Sequence, residues 1–327
     1  MKKSVILLFF ALLVFCDLSY AQIVMRQSGD DNTVHYNLER NSPNELPKLT
    51  VGINSLAFYL GYYGTLAFGG NLDINYAVSP SLSIFGNATI SYLPGGGSYS
   101  TSPPQPIDRY HEANAGVLYY FLNITKQLPQ PVIISSVSYG NYRTNTYVNV
   151  PVDKVKKLGL EGGFNNLDCY LGGTFFWGKI YAYPINDPSQ KRYTLYNASY
   201  SSFTANSIFI GLNYTMLNDY LVSFRDNAYP KRNISNQTQI YLDVLIPFTG
   251  SYTNVNTKDD IIGGAPDGEY NLNKYMPKNN IGIRAGYKFT SKHLVGFTWG
   301  AEMGVAPGFS SSFSYYNAIN VGIALSK

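Results

Sequence analysis

The stretch Gln239-Ile240-Tyr241-Leu242-Asp243-Val244-Leu245-Ile246-Pro247-Phe248 decides how this chain is read. Ile240, Leu242, Val244, Ile246 and Phe248 occupy alternate positions, with Gln239, Tyr241 and Asp243 between them. Successive side chains of a strand point to opposite faces, so a period of two makes one face apolar and the other polar. Six other stretches repeat the pattern. Leu66, Phe68, Leu72, Ile74, Tyr76 and Val78 oppose Thr65, Asn71, Asp73 and Asn75, and Leu82, Ile84, Ala88, Ile90 and Tyr92 oppose Ser83, Asn87, Thr89 and Ser91. Towards the C-terminus, comparable apolar faces run from Ile208 to Met216, Ile281 to Phe289, Val295 to Val305 and Tyr315 to Leu325. None of these faces carries a charge, whereas Asp73, Asp243, Arg284, Lys288 and Glu302 lie on the polar faces. A Lys or Arg facing lipid costs ~2–4 kcal/mol near the bilayer midplane, so a lipid-facing wall requires this asymmetry. A soluble sandwich also keeps charge off its inner face. The stretches here, however, exceed the ~5–6 residues usual for soluble strands. Tyr76, Tyr92, Phe248 and Phe289 also stand near strand ends, where an interfacial aromatic girdle belongs.

The N-terminus agrees. Lys2 and Lys3 precede an apolar run over 4–16, and Ser19-Tyr20-Ala21 offers small residues at the −3 and −1 positions of a cleavage site before Gln22. The run is shorter than the ~20 residues a spanning helix needs, and the bulky Phe15 before Cys16 argues against lipid attachment. Residues 1–21 are therefore expected to be a cleaved signal peptide, 22–47 a polar periplasmic segment and 48–327 a transmembrane β-barrel. Cleavage removes Lys2, Lys3 and Asp17, so 24 basic and 20 acidic residues become 22 and 19, a net charge of +3. That balance is too mild for nucleic acid. One cysteine, Cys169, remains, which excludes an internal disulfide. The 30 Tyr, 30 Gly and 18 Phe, with 13% charged residues, suit an all-β chain.

The alternation places strands near 49–60, 63–78, 81–93, 108–122, 130–150, 154–165, 169–182, 205–216, 237–248, 280–290, 295–305 and 313–326. The expectation is a closed antiparallel barrel of twelve strands, with ten or fourteen as the alternatives because the fourth to seventh stretches alternate poorly. With both termini periplasmic, short turns at 79–80, 123–129, 166–168 and 291–294 fall on one side and long loops at 94–107, 183–204 and 249–279 on the other. The connection 217–236 is long on the short-turn side.

Over nearly all of the mature region, the chain resembles Gram-negative outer-membrane β-barrel proteins. Its end, Asn320-Val321-Gly322-Ile323-Ala324-Leu325-Ser326-Lys327, has their alternation, but Lys327 stands where such proteins often carry an aromatic residue for assembly. The resemblance implies an outer-membrane location after export through the periplasm, with membrane lipid as the surrounding partner.

Few constellations suggest chemistry. Of His35, His111 and His293, only His111, beside Glu112, is placed to meet the outer leaflet, and no serine is singled out as its nucleophile. The chain is read as non-enzymatic. The carboxylates Asp259, Asp260, Asp267 and Glu269 match no ordered calcium loop and read as a solvated acidic loop. No zinc spacing or phosphate-cradling motif occurs, so no metal or cofactor is expected.

The inward charges matter more. Asp73, Asp243, Arg284, Lys288 and Glu302, with the Tyr316 hydroxyl, form a candidate lumen network, read either as struts between walls or as a selectivity constriction. A turn at 291–294 implies that facing residues sum to 584 or 586, which puts Arg284 opposite or diagonal to Glu302 as an ion pair. Val244→Arg is expected to hinder insertion, and an arginine at 243 to be tolerated in a wetted lumen. Two functions follow. The preferred one is an envelope scaffold with a largely plugged lumen, engaging an envelope protein through outer loops or through 22–47 and 217–236, which carries Arg225, Lys231 and Arg232. The alternative is a passive porin-like channel for small hydrophilic solutes, favoured by the inward Gly211, Gly282, Gly286, Gly296, Gly300 and Gly304.

Overall fold

The computed structural model describes residues 25–27, 34–45, 47–61, 65–94, 110–139, 142–171, 180–182, 185, 193–195, 201–225, 229–252, 255–257, 268–271, 273, 280–307 and 315–327. The signal segment and the acidic stretch 259–267 lie outside these residues. In chain order the strands are β1 (Met25–Gln27), β2 (Tyr36–Asn41), β3 (Leu49–Gly61), β4 (Thr65–Ser79), β5 (Leu82–Pro94), β6 (Tyr110–Tyr139), β7 (Tyr142–Leu171), β8 (Ile180–Ala182), β9 (Tyr193–Leu195), β10 (Ser201–Phe224), β11 (Arg232–Tyr252), β12 (Val255–Thr257), β13 (Gly268–Tyr270), β14 (Gly282–Ser291), β15 (Val295–Val305) and β16 (Tyr315–Ser326). A single-turn helix, Pro43–Glu45, precedes β3.

Ten of these strands close on themselves in the order β7-β6-β5-β4-β3-β16-β15-β14-β11-β10, with β10 returning to β7. Closure satisfies the backbone donors and acceptors that an open edge would expose to lipid. The first and last strands of the ring meet at one seam. β16 pairs antiparallel with β3, and Leu49 and Lys327 exchange both backbone hydrogen bonds at 2.9 Å. Short hairpins, β8 with β9 and β12 with β13, lie within the long connections at 172–200 and 253–281.

Ten strands, one of the expected alternatives, form the ring in place of twelve for an identifiable reason. The segments 123–129 and 166–168, read from sequence as turns, are extended interior to β6 and β7, as is the step at 151–153. Four expected strands are thus two strands of 30 residues each. Pro129 and Pro131 lie inside β6, where a proline forfeits only its own donor and need not turn the chain. The connection 217–236 that seemed long on the wrong side is mostly strand, since β10 continues to Phe224 and β11 begins at Arg232.

By its packing the chain divides into two compact units. The larger comprises Pro43–Thr125, Val155–Asn218 and Ser235–Lys327. Its outward rows are the apolar ones: Ile74, Ile210, Val244, Ile283, Phe297 and Ile323 are exposed, and their sequence neighbours Asp73, Asp243, Arg284, Thr298 and Ala324 are buried. On β7 the outward row from Lys156 to Asp168 passes through Leu158, Leu160, Gly162 and Phe164, so charge brackets an apolar span close to the ~9–11 residues that cross a bilayer. Tyr76 and Phe248 are exposed, as a girdle requires. The Tyr92 side chain lies outside the described residues. A charge in this belt is predicted to be costly. Val244→Arg should weaken refolding into lipid by about 2–4 kcal/mol and Val244→Ala far less, as read by a denaturant titration in vesicles.

The smaller unit comprises Met1–Ser42, Lys126–Lys154 and Asp219–Ile234. Here the polarity is inverted. Val132, Ile134, Val150, Val152, Tyr220, Val222 and Phe224 form a buried apolar core, with Leu38, Val148 and Tyr229 packed against it. The N-terminal segment, expected from sequence to be a polar periplasmic stretch, contributes two strands to this unit. β1 pairs in parallel with Asn145 to Tyr147 of β7, and β2 runs antiparallel to Tyr220 to Phe224 of β10. Arg40 Nε sits 2.8 Å from Asp219 Oδ2. Lys231 Nζ donates to both Glu39 carboxylate oxygens at 2.8 and 3.1 Å, which holds that carboxyl below its ordinary range.

Candidate functional site: the barrel lumen

Inward-pointing positions of the ten strands bring the candidate network together with partners that the sequence left unassigned. Asp243 on β11 faces Arg284 on β14 in the strand register, and Arg284 Nε donates to Asp243 Oδ2 at 2.7 Å with both side chains at 5% exposure or less. The same guanidinium reaches further. Its Nη1 donates to Asn114 Oδ1 on β6 at 2.8 Å and lies 3.8 Å from Glu112 Oε1, while Cζ sits 4.5 Å above the Phe209 ring. β6 is four strands from β14 by the shorter way round the ring, so this side chain crosses the lumen. Lys288, also on β14, pairs with Asp73 on β4, again four strands away.

Glu302 on β15 is held by hydroxyls. Tyr241 and Tyr316 each donate to it at 2.5 Å, one from β11 and one from β16. The expected ion pair between Arg284 and Glu302 does not form. Facing residues of β14 and β15 sum to 588, so Arg284 faces Gly304 and Glu302 faces Gly286. The turn displaces the register: Lys292 N donates to Ser235 O at 2.8 Å and prolongs the β11 ladder beyond Ser291, which moves the reversal towards Leu294. Glu302 remains one diagonal step from Arg284, but Asp243 stands directly opposite it on β11 and takes the guanidinium. An arginine at 243, expected to be tolerated, would instead set two guanidinium groups together in a fully buried position.

Further cross-strand contacts fill the interior. Asn54 donates to Asn71, and Asn71 to Thr89, both at 2.8 Å. Asn213 donates to Glu161 at 2.7 Å, Tyr120 and Thr215 hydroxyls lie 3.0 Å apart, and within β6 Tyr110 donates to Glu112. Tyr59 stacks between Tyr110, at 3.7 Å, and Tyr316, at 5.7 Å. Towards the seam between β3 and β16, Lys292 Nζ donates to Thr50 Oγ1 at 2.6 Å and Lys157 Nζ to the Pro80 carbonyl at 2.8 Å. Sequence reasoning missed Glu112, Asn114 and Glu161 as inward groups because they sit in stretches where apolar residues also point inward, notably Leu118 and Tyr120. His111 and Glu112, adjacent in sequence, occupy opposite faces, and His111 pairs with Ile90 on the outward row.

Three of the inward glycines are filled by neighbouring side chains. A methyl at Gly286 would lie 2.2 Å from Tyr241 Cζ, and one at Gly211 would lie 1.9 Å from Asp243 Oδ1. At Gly304 it would meet Tyr316 Cε1 at 2.7 Å. Their missing side chains make room for large ones from neighbouring strands. Between these layers remains a cavity of about 130 Å³ whose lining includes Phe85, Tyr110, Glu112, Glu161, Tyr241 and Glu302. Among the described residues no group of His, Cys, Asp and Glu is arranged to hold a metal ion.

A closed antiparallel ring with an apolar outer belt and a polar, charge-bearing interior is the architecture of an outer-membrane β-barrel. No protein-family model matches the chain, and no curated protein matches its sequence. Among solved structures it is similar to the outer membrane protease OmpT from Escherichia coli, at 10% identity over 90% of this chain and 99% of that one, with a TM-score of 0.36. It is also similar to an in-vitro folded outer membrane protein OmpT of Vibrio cholerae, at 8% identity over 85% of this chain and 97% of that one, TM-score 0.17. A third likeness is to Pseudomonas aeruginosa OpdK with vanillate, at 10% identity over the same shares, TM-score 0.14. At these values the likenesses bear on neither activity nor ligand.

Proposed function

We propose that this protein is a sealed barrel of the outer membrane, serving as a non-enzymatic scaffold that binds an envelope partner through residues outside the lipid belt. The observation that carries this reading is the pair of side chains on β14 that cross the lumen, Arg284 to Asn114 and Lys288 to Asp73. A conducting pore keeps its charges on the walls and water between them. Here the walls are tied to each other. The smaller unit supports the partner-binding half of the proposal, because an apolar core beneath polar strands such as β2 is the arrangement of a water-facing module.

Planar-bilayer recording of the refolded protein tests the reading. The expected result is a membrane without steady open current in the wild type. The double variant Lys288→Met with Asp73→Asn, which removes one crossing pair without stranding a charge, should raise the frequency of brief openings. A steady open state in the wild type would favour the passive channel instead.

A further inference from the structure

The lipid-facing wall carries a notch that packing does not require. On the outward row of β7, Gly162 stands midway between Lys156 and Asp168. Around it Val117 on β6, Leu160 on β7, Ile208 and Ile210 on β10 and Ile246 on β11 are exposed, and they rim a groove of about 400 Å³. The neighbouring glycine shows the contrast. A methyl at Gly163 would lie 2.1 Å from the Ala115 carbonyl oxygen and 2.6 Å from Gly116 Cα, so the close approach of β6 excludes any side chain there. A methyl at Gly162 would meet only the Phe209 carbonyl oxygen, at 3.2 Å, and a shift of a few tenths of an ångström relieves that contact. A side chain fits at 162, yet the position is empty. Glycine inside a strand weakens it and marks a bulge, a bend or the close approach of a ligand.

We infer that this groove holds an acyl chain of one phospholipid whose phosphate is bound by Lys156. The groove is continuous with the belt that faces hydrocarbon, so its occupant comes from the bilayer. Its shape is that of a chain: the rim crosses four strands, about 14 Å at the usual strand spacing. Charge fixes the other end of the ligand. Six residues separate Lys156 from Gly162, about 20 Å along the strand and about 14 Å along the membrane normal at the usual tilt. That is close to half of the ~30 Å hydrocarbon core, which puts Lys156 at headgroup level when Gly162 is at the midplane. Lys156 forms no ion pair among the described residues. Its neighbour Lys157 reaches the Pro80 carbonyl in the turn between β4 and β5, so the lipid belongs to the leaflet on the short-turn side. The rigid wall of a second barrel would leave the groove void and forfeit its dispersion contacts, whereas a flexible chain fills it.

Native mass spectrometry of the full barrel in detergent, mixed with dipalmitoyl phosphatidylglycerol, tests the inference and does not depend on whether the lumen conducts. The expected result is a single lipid retained at collision energies that strip all others. Gly162→Leu, which fills the groove, should lower that retained fraction tenfold or more, and Lys156→Gln should lower it several-fold. Phe297→Leu, elsewhere on the belt, should leave it unchanged. Dipalmitoylglycerol, with the same chains and no phosphate, should be held less well, and inorganic phosphate should not displace the lipid. Retention of the compact fast-migrating band on unheated electrophoresis shows that a variant is folded. The comparison of the two lipids uses only the wild type and stands if the variants fail to fold. A ladder of lipids with no distinct first one, equal retention of both lipids, displacement by inorganic phosphate, undiminished retention in folded Gly162→Leu, or a lipid-free dimer that Gly162→Leu dissociates would each overturn the proposal.

Discussion

Arg284→Met is expected to lower the unfolding free energy of the lipid-refolded barrel by about 3–5 kcal/mol, the cost of leaving a buried partner charge uncompensated. That partner is Asp243, whose side chain has 0% exposure and whose other carboxylate oxygen abuts Gly211. It has no space for hydration. Adding Asp243→Asn to the Arg284→Met background should recover part of the loss, giving a strong coupling in a double-mutant cycle. The same cycle between Arg284 and Glu302 should give a smaller coupling, because Glu302 is satisfied by two tyrosines. A loss below about 1 kcal/mol on Arg284→Met would mean that water enters the site, since an exposed pair contributes that little. Guanidinium titrations from vesicles, followed by tryptophan fluorescence, provide the measurement.

The second large effect belongs to the smaller unit. Phe224→Ala should cost about 3–5 kcal/mol there, since the ring is buried in the apolar core and packs edge-on against Tyr229 at 5.6 Å between centroids. The signature is local. Amides of Val132, Ile134, Val150 and Val152 should lose protection from hydrogen exchange, while those of Val244 and Ile283 in the belt keep theirs. Equal loss of protection in both sets would show that the two cores unfold together, contrary to their separate packing.

The belt was legible in the sequence because two demands coincide there. Lipid outside and a polar interior give β4, β5, β14, β15, β16 and the stretch of β11 from Leu242 to Phe248 a contrast between neighbours, and a period of two survives even where loops are long. The contrast fails in β6 and β7 for two physical reasons. Their inward faces mix Leu118, Tyr120 and Val155 with Glu112 and Glu161, so polarity no longer marks the side. Between Lys126 and Lys154, moreover, the buried face turns apolar, and in β6 the apolar positions change from the odd numbers of Val117, Tyr119 and Phe121 to the even numbers of Val132 and Ile134, a phase reversal that imitates a turn. The site was legible as a set of inward charges but not as a set of pairs. Parity assigns Arg284 and Asp243 to the interior. Choosing Asp243 over Glu302 as the partner needs the pairing of β11 with β14, which sets Asp243 directly opposite Arg284 while Glu302 lies a diagonal step away on β15.

The glycine positions carried an ambiguity that only packing resolves. An inward glycine reads equally as an open lumen or as a berth for a neighbour's ring. Tyr241 over Gly286 and Tyr316 beside Gly304 select the second.

The crossing of the lumen by Arg284 also bears on how the barrel is assembled. Its contact with Asn114 joins residues 170 apart in sequence, and that of Lys292 with Thr50 joins residues 242 apart. Hairpins such as β4 with β5 are local and form early, whereas contacts of this separation must await the approach of distant segments. β14 cannot reach across to β6 until the intervening wall has curved, and Lys292 cannot meet Thr50 until β16 has zipped against β3. A partly inserted chain therefore has its lipid-facing surface before it has its interior. Protection of the Arg284 side chain from modification reports the last step of closure, and the time course of that protection would trail the formation of strand structure.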